Sequence, residues 1–227
     1  MHPENYWAKQ HTEYATKNWI DKKTLFAQFA VIYFPSKGKI LELGAGQGQD
    51  SRFFAKKGFD VTSTDFATDA LQISKSKAKK ENLQINFQEL DLIKKFPYGD
   101  ATFDVVYSHL ALHYFDIKTT QQIIDEVARI LKPNGILAFL VNTVEDSEVE
   151  EYQMISEDFY QAPYGITKRY FNTTSVEILT KQYFETLLLD AKGQTYKDKI
   201  KSLIRFIGKK KLGKTKTNPR LALIRKI

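Results

Sequence analysis

Apolar and polar positions follow two different periods along the first two thirds of the chain. Short runs rich in β-branched and aliphatic residues predict strands at residues 39–43, 59–64, 84–90, 103–107 and 136–141. Segments with helical spacing lie between them and predict helices over residues 47–57, over 68–81, and from Asp116 or Thr119 to Leu131. Alternating strands and helices are typical of βαβ units, so the pattern predicts an α/β fold with a parallel, doubly wound sheet.

The two ends of the chain carry different patterns. Residues 5–34 are rich in large aromatic residues without proline or glycine, which predicts a helical segment. Residues 145–171 have no regular period and are acidic at first, then rich in tyrosine and phenylalanine. Thr174 and Glu177 have the spacing of a capping box and predict the start of a helix. Two further strands are predicted at residues 184–191 and 201–208.

A glycine-rich turn follows the first predicted strand. Gly44, Gly46 and Gly48 allow a tight turn and a close approach of the backbone to a ligand. The turn is not the dinucleotide fingerprint, because Gln49 stands where that pattern needs a small residue. Glu42, two residues before the first glycine, would repel a pyrophosphate and suits a ligand that carries positive charge.

Acidic residues end the next two predicted strands. Asp65 follows the second strand, where a carboxylate can accept both hydroxyls of a ribose. Asp91 follows the third strand and can accept a hydrogen bond from an adenine amino group, with Phe66 and Leu92 on the two faces of the ring. Since ligands of such sheets bind at the carboxyl ends of the strands, these acids and the glycine turn predict one nucleoside site.

These motifs resemble the class I S-adenosylmethionine-dependent methyltransferases, and in character their small-molecule members, including the tellurite-resistance type. The resemblance covers roughly residues 38–141. It rests on the order and spacing of five segments: ILELGAGQG (40–48), VTSTDF (61–66), INFQELDL (85–92), FDVVYSHLALHYF (103–115) and ILKPNGILAFL (130–140). The resemblance implies a Rossmann-like sheet of seven strands, the last one antiparallel, and S-adenosylmethionine as the cofactor.

The resemblance also implies roles for individual residues. The methionine end of the cofactor would lie against Glu42, Gly44, Ala45 and Gly46. Asp65 would take the ribose, and Asp91 with Leu92 the adenine. Ser108 and His109 would approach the cofactor from below, and Tyr14 is the candidate from an N-terminal helical lid.

His113 is the candidate catalytic residue. It lies in Leu-Ala-Leu-His-Tyr-Phe after the fourth predicted strand, a segment that faces the substrate in the resembled family. An imidazole can act as a general base near neutral pH. Its alternatives are a place in the substrate wall or in the core. His109 lies four residues earlier, but no third ligand is apparent, so no metal site is predicted.

Three regions are expected along the chain: an N-terminal helical lid at 1–37, a methyltransferase domain at 38–208 and a basic C-terminal extension at 209–227. Within the domain, residues 145–172 would form a cover over the substrate. An alternative makes Arg220–Ile227 the last strand of the sheet, with residues 192–219 as a basic insertion.

Composition narrows the function classes. The chain of 227 residues has no cysteine, which excludes a disulfide scaffold, a thiolate zinc site and a cysteine nucleophile. The N-terminus is not a signal peptide, and no apolar run is long enough to span a bilayer, so a cytoplasmic protein is expected.

Residues 192–227 carry 13 lysines and arginines against one acid, which permits contact with an anionic surface. No nucleic-acid motif accompanies them, so a nucleic-acid partner is not favoured.

The predicted cover is acidic. Seven acids and no base occur between residues 145 and 158: Glu145, Asp146, Glu148, Glu150, Glu151, Glu157 and Asp158. Together with nearby tyrosines, they suggest a cationic or amine acceptor, held by Coulomb attraction and cation–π contacts. The alternative is an ordinary solvated loop and helix.

The sequence therefore predicts a methyltransferase that acts on a small molecule by in-line displacement. Three alternatives stay open: a methyltransferase of RNA or protein, a catalytically silent cofactor-binding domain and, more distantly, a nicotinamide-dependent dehydrogenase. The acceptor atom (oxygen, nitrogen, sulfur or a metalloid) and the oligomeric state also stay open at this point.

Overall fold

A computed structural model describes residues 3–14, 16–162, 165–196 and 202–212 of the chain. Ten strands occur in this part: β1 (Lys39–Leu43), β2 (Asp60–Asp65), β3 (Asn86–Glu89), β4 (Phe103–His109), β5 (Leu131–Asn142), β6 (Gln153–Ser156), β7 (Phe159–Gln161), β8 (Thr167–Arg169), β9 (Phe184–Gly193) and β10 (Leu203–Lys210). The α-helices of the same part are α1 (Pro3–Tyr14), α2 (Leu25–Ala30), α3 (Gln49–Lys56), α4 (Thr68–Lys80), α5 (Ile117–Ile130), α6 (Glu148–Glu151) and α7 (Thr173–Thr180).

Seven of these strands form one mixed sheet in the order β3-β2-β1-β4-β5-β10-β9. The first five strands pair in parallel, whereas β10 is antiparallel to both β5 and β9. The predicted Rossmann-like α/β fold, with seven strands and an antiparallel last strand, is thereby confirmed.

Side chains alternate along each strand, so the sheet has an apolar layer on each face. Leu41 and Leu43 of β1 lie in the layer that packs against α5 and α7. Ile40 of the same strand lies in the layer that packs against α2 and α3. Because both faces of the sheet are buried, the sequences of the parallel strands are short runs of apolar residues.

The N-terminal segment departs from the predicted helix over residues 5–34. Helix α1 ends at Tyr14, turns follow, and α2 starts only after its N-cap Thr24. The Thr24 side chain accepts a hydrogen bond from the Ala27 N–H at 3.0 Å, and the Thr24 N–H donates to Asp50 Oδ1 at 2.7 Å. This tertiary bond to α3 holds the chain in an extended conformation at Thr24, which interrupts the helix.

The predicted capping box of α7 is also displaced. Asn172, not Thr174, is the N-cap, and its side chain accepts a hydrogen bond from the Ser175 N–H at 2.8 Å. The Ser175 hydroxyl completes the box by accepting from the Asn172 N–H. Asparagine is as good an N-cap as serine and better than threonine, so the helix begins two residues earlier than predicted.

Residues 145–171, expected to be irregular, contain α6 and a three-stranded antiparallel sheet in the order β6-β7-β8. These strands have only three or four residues, too few for an alternating pattern to be recognised.

The last strand extends further than expected. Lys209 and Lys210, assigned in the sequence to a basic extension, belong to β10, where Lys209 pairs with Ile136. The alternative strand at Arg220–Ile227 lies outside the described residues. No helix in the described part of the chain has the length and apolarity needed to cross a membrane.

Candidate active site

A cavity of about 870 Å³ opens at the carboxyl ends of the parallel strands, beneath α1 and the small sheet β6–β8. It brings together ten of the twelve residues that the sequence singled out: Tyr14, Gly44, Ala45, Gly46, Asp65, Phe66, Asp91, Leu92, His109 and His113. The other two, Glu42 and Ser108, do not line it.

The glycine turn forms one wall of this cavity. Gly44 and Gly46 have φ angles of +68° and +53°, in the left-handed region that favours glycine. A Cβ atom on Gly44 would collide with Ala111 Cβ, and one on Gly46 would lie 3.1 Å from His11 Cε1. Both positions therefore need glycine for conformation and for space.

Asp65 fixes the turn to the end of β2. Its Oδ2 accepts a hydrogen bond from the Gly46 N–H at 2.8 Å, and its Oδ1 accepts one from the Ala67 N–H at 2.9 Å. Burial raises the pKa of the Asp65 carboxyl, and these backbone donors work against that shift. Asp65 thus presents a nearly buried carboxyl group, 8% exposed, at the cavity wall.

Asp91 lies further along the same wall and is more open to solvent. Its Oδ1 accepts from the Ile93 N–H at 3.2 Å, and its Oδ2 lies 3.4 Å from Lys94 Nζ. Phe66 and Leu92, both partly exposed, lie in the cavity wall with it. This half of the cavity therefore has a carboxyl group and apolar surface together, as an adenine ring requires.

Glu42 and Ser108 lie behind the wall. Ser51 Oγ donates a hydrogen bond to Glu42 Oε2, and Ser108 Oγ donates to the Leu43 carbonyl at 3.2 Å. Burial, and next the charge of Asp50, raise the pKa of Glu42 well above its usual value. Both side chains thus make their hydrogen bonds inside the protein and do not line the cavity, so their expected contact with a cofactor stays a prediction.

A buried polar group beneath the turn was not predicted. The Asp50 carboxylate of α3 accepts from Thr24 Oγ1 and from the Tyr107 hydroxyl, each at 2.7 Å. These bonds connect the N-terminal segment, the helix after the glycine turn and β4. No sequence pattern indicated the group, because its members are 26 and 57 residues apart.

His11 is a second residue that the sequence reasoning missed. It is 7% exposed, and its Nδ1 has no hydrogen-bond partner among the described residues. Its carbonyl accepts from Gln47 Nε2 at 2.8 Å, which joins α1 to the glycine turn. Burial lowers the pKa of His11, while the charge of Asp65 opposes that shift. Trp7, His11 and Tyr14 have helical spacing and all line the cavity, a signal that could have found His11.

His113 lies on a short 3₁₀ turn after β4, at Leu112–Tyr114. It is 2% exposed and lines the cavity. Its ring centroid is 4.3 Å from that of Tyr114, whose ring also contacts Trp7 of α1 at 4.9 Å. The imidazole therefore lies among aromatic rings that shield this half of the cavity. Groups of three or more potential metal ligands do not occur in the described part of the chain.

The acidic cover contributes less charge to the cavity than its composition suggests. Of its seven acids, all within the described residues, Glu148 alone lines the cavity. Glu148 Oε2 lies 2.8 Å from Lys168 Nζ, and both side chains are 13% exposed. Glu150 and Glu151 face solvent. The acidic residue of the cover that lines the cavity is thus paired with Lys168.

Comparisons with known proteins agree with this geometry. The family described as "Methyltransferase domain" matches residues 40–135. A malonyl-[acyl-carrier protein] O-methyltransferase from Enterobacter lignolyticus is 29% identical over 126 residues, covering 56% of this chain and 47% of that protein. The putative methyltransferase YqeM of Bacillus subtilis is 36% identical over 113 residues, covering 48% and 44%. The chain spans about half the length of these curated relatives.

Two solved structures share the fold. An S-adenosylmethionine-dependent methyltransferase from Methanosarcina mazei superposes with a TM-score of 0.69 at 22% identity, covering 81% of this chain and 97% of the other. TehB from Haemophilus influenzae superposes with a TM-score of 0.63 at 20% identity, covering 92% and 67%.

The sheet order defines a Rossmann-like α/β fold with a cavity at the carboxyl ends of its parallel strands. The family match over residues 40–135, together with the methyltransferase relatives, confirms the predicted resemblance to class I S-adenosylmethionine-dependent methyltransferases.

Proposed function

We propose that this protein transfers a methyl group from S-adenosylmethionine to a small-molecule acceptor. One observation carries the proposal. A single cavity joins the glycine turn and the carboxylates of β2 and β3 to a second half, over β4 and β5, that contains His113 and an aromatic wall. Donor and acceptor would meet in that cavity, shielded from water.

The residues of the first half fit the cofactor. Gly44 and Gly46 present backbone without side chains to the cavity, which leaves room for the methionine portion of the cofactor. A Cβ atom at either position would crowd Ala111 or His11. Asp65 is placed for the ribose hydroxyls and Asp91 for the adenine, with Phe66 and Leu92 beside the ring. His11 and Tyr14 of α1 close this half from above. When bound, the cofactor supplies a methyl group activated by a sulfonium.

Methyl transfer is an in-line displacement, so the main tasks of the protein are to align donor and acceptor and to exclude water. An acceptor with an acidic proton also needs a base. Burial raises the pKa of Tyr14 and of Tyr152 to about 12, so both hydroxyls stay protonated near neutral pH. Imidazole accepts protons in that range, and we assign the role of general base to His113.

Relatives support methyl transfer but differ in their acceptors. The names of two matching proteins specify a malonyl-acyl-carrier-protein and a ubiquinone-biosynthesis O-methyltransferase. A structural neighbour holds 1,6-didemethyltoxoflavin with S-adenosylhomocysteine. All three names describe O- or N-methylation: the first of an acid bound to a carrier protein, and the other two of the metabolite type that we propose here.

The test begins with the product, S-adenosylhomocysteine, and isothermal titration calorimetry. We expect the wild-type protein to bind it and NAD to fail to compete. Methyl-labelled S-adenosylmethionine is then incubated with the protein and a deproteinised cell extract, and we expect label in the small-molecule fraction. Label on RNA or protein in a whole extract would favour a macromolecular acceptor instead. NAD binding without S-adenosylhomocysteine binding would contradict the proposal.

His113→Gln tests the assigned base. The variant keeps the size and polarity of the side chain but has no titratable nitrogen. Loss of a general base lowers turnover by roughly 10²–10⁴-fold. We therefore expect label transfer to fall by that factor while S-adenosylhomocysteine affinity stays within about twofold of wild type. Unchanged transfer across pH 6–9 would remove His113 from the proton transfer.

A further inference from the structure

We propose that Arg52 of α3 is a positioning residue for the cofactor: its guanidinium holds the glycine turn in the conformation that receives S-adenosylmethionine, without touching the ligand itself. The role rests on the proposed methyl-transfer function and adds a residue to it. Three features carry it: a buried hydrogen bond from Arg52 to the backbone of the turn, the left-handed backbone of that turn, and the second cation beside each acid that Arg52 contacts.

The glycine turn between β1 and α3 has little in its own sequence to select one conformation. Gly44, Gly46 and Gly48 have φ angles of +68°, +53° and +70°. Glycine populates many backbone conformations, so ordering it costs more entropy than ordering any other residue. Gly48 is also the N-cap of α3, where it offers no side chain to cap the helix. Hydrogen bonds from side chains outside the turn therefore contribute to fixing its conformation.

Arg52 supplies such a bond from near the start of α3. Its Nη1 donates to the Gln47 carbonyl at 2.8 Å, and both residues are 2% exposed. A hydrogen bond from a charged donor is stronger than a neutral one, and shielding from water strengthens it further. Gln47 lines the cavity and Arg52 does not. Arg52 therefore acts on a ligand only through the turn.

The position of Gln47 matters beyond the turn. Its Nε2 donates to the His11 carbonyl of α1 at 2.8 Å, and its Oε1 accepts from Lys77 Nζ of α4 at 2.9 Å. Because Arg52 holds the backbone of Gln47, it also holds the point at which α1 is attached to the cofactor half of the cavity, which the glycine turn and the ends of β2 and β3 form.

The acids that Arg52 contacts each have a lysine partner as well. Arg52 Nε lies 2.9 Å from Glu81 Oε1, and Lys56 Nζ lies 2.7 Å from Glu81 Oε2. Arg52 Nη2 lies 3.2 Å from Asp21 Oδ1, and Lys77 Nζ lies 2.7 Å from the same oxygen. A substitution at Arg52 thus leaves each acid beside a cation, and its main consequence is the loss of the bond to the turn.

Two substitutions at Arg52 test this role. Arg52→Met keeps a long apolar side chain but has no donor. Arg52→Lys keeps the charge, but a single ammonium cannot reproduce the planar fork that serves the carbonyl and both acids at once. We expect both variants to bind S-adenosylhomocysteine at least about tenfold more weakly than wild type in calorimetry, the fold-change of one lost charge-assisted hydrogen bond.

Lys56→Gln is the matched control. Lys56 lies one helical turn after Arg52 and pairs with the same Glu81, but in the described part of the chain no hydrogen bond joins its side chain to the glycine turn. We expect its affinity for S-adenosylhomocysteine to stay within about twofold of wild type. The loss of an ion pair at Glu81 would then not explain the behaviour of the Arg52 variants.

Melting temperatures of the ligand-free variants separate positioning from stability. Affinities are compared well below the lowest melting temperature, where nearly all molecules are folded. A role of Arg52 in stability alone predicts lower melting temperatures with unchanged affinity. A positioning role also predicts that label transfer has a KM for S-adenosylmethionine raised by about tenfold in both variants, with a maximal rate within about threefold of wild type.

The positioning role is overturned if either folded Arg52 variant binds S-adenosylhomocysteine within about threefold of wild type, or if Lys56→Gln loses as much affinity as they do. Arg52→Lys decides alone if Arg52→Met does not fold. Failure of wild type to bind S-adenosylhomocysteine would instead refute the proposed function itself.

Discussion

At the residue scale, His11 shows how much a single side chain of α1 contributes to the cavity. Its ring lies against Gly46, its carbonyl accepts from Gln47, and its Nδ1 has no partner among the described residues. Gln47 in turn accepts from Lys77 Nζ at 2.9 Å, so α1, the glycine turn and α4 are connected through this contact. His11 therefore holds α1 against the glycine turn at the cofactor half of the cavity.

Substitution of His11 should therefore change cofactor affinity. His11→Ala removes the ring that packs against Gly46 but keeps the backbone carbonyl that accepts from Gln47, and we expect weaker binding of S-adenosylhomocysteine by calorimetry because the glycine turn loses its support from α1. His11→Phe keeps an aromatic ring against the turn and should retain most of the affinity. Melting temperatures of both ligand-free variants serve as the control. Wild-type affinity in His11→Ala would refute this role.

Glu42 gives a prediction about pH. Its pKa is raised by burial and by Asp50, so the folded protein keeps a proton on Glu42 at pH values where the unfolded chain has lost it. The folded state then binds more protons, and the contribution of Glu42 to the free energy of unfolding falls as pH rises above about 4.3, the ordinary glutamate value.

Glu42→Gln resembles the protonated side chain and removes this dependence. We expect urea unfolding to show a more stable ligand-free variant at pH 8, with a smaller difference from wild type at pH 5. The prediction is contradicted if the free energy of unfolding of Glu42→Gln is lower than that of wild type at pH 8 and equal to it at pH 5. The folded state would then favour the ionised form of Glu42.

Most candidate site residues could be found from the sequence because they follow strands. Position after a strand is a local property, and Asp65, Asp91 and His113 all reached the cavity wall in this way. Asn142, the last residue of β5, also lines the cavity. His11 and Lys168 come from elements whose place above the sheet is set by tertiary contacts.

At the element scale, long periodic elements were predicted well and short ones were not. Helix α4 buries the four residues that its spacing places on one face: Ala70, Leu71, Ser74 and Ala78. In contrast, the N-terminal segment is divided at Thr24 by hydrogen bonds to Asp50, and β6–β8 are too short to show a period. The local spacing of apolar residues predicts where a helix or strand can form. Its ends depend on contacts with residues far away in the sequence, such as the bonds between Thr24 and Asp50.

Thr24 is the element-scale position to test. Thr24→Ala removes the N-cap of α2 and the hydroxyl that donates to the buried Asp50. We expect the free energy of unfolding to fall by about 1–3 kcal/mol in urea titrations followed by circular dichroism. Thr24→Ser keeps the hydroxyl and should lose less than about 1 kcal/mol. Equal stability of the alanine variant and wild type would show that the cap and the Asp50 bond contribute little.

At the scale of the whole molecule, two groups of neighbouring strands in the sheet carry different parts of the proposed reaction. Strands β1, β2 and β3 present the glycine turn and the two carboxylates, while β4 and β5 present His113 and Asn142. Helix α1 and the small sheet lie above both halves. The α/β class and the strand-end location followed from the alternating pattern, whereas the composition of the cover required the structure.

The place of β10 in the sheet has a consequence for the order in which the molecule assembles. β10 is the last strand of the described chain, yet it pairs with β5 on one side and β9 on the other. During synthesis, β5 must wait with an open edge until residues up to Lys210 have emerged, and open strand edges invite pairing with other chains. Asn142 lies on that edge, so the half of the cavity over β4 and β5 is the last part to become complete.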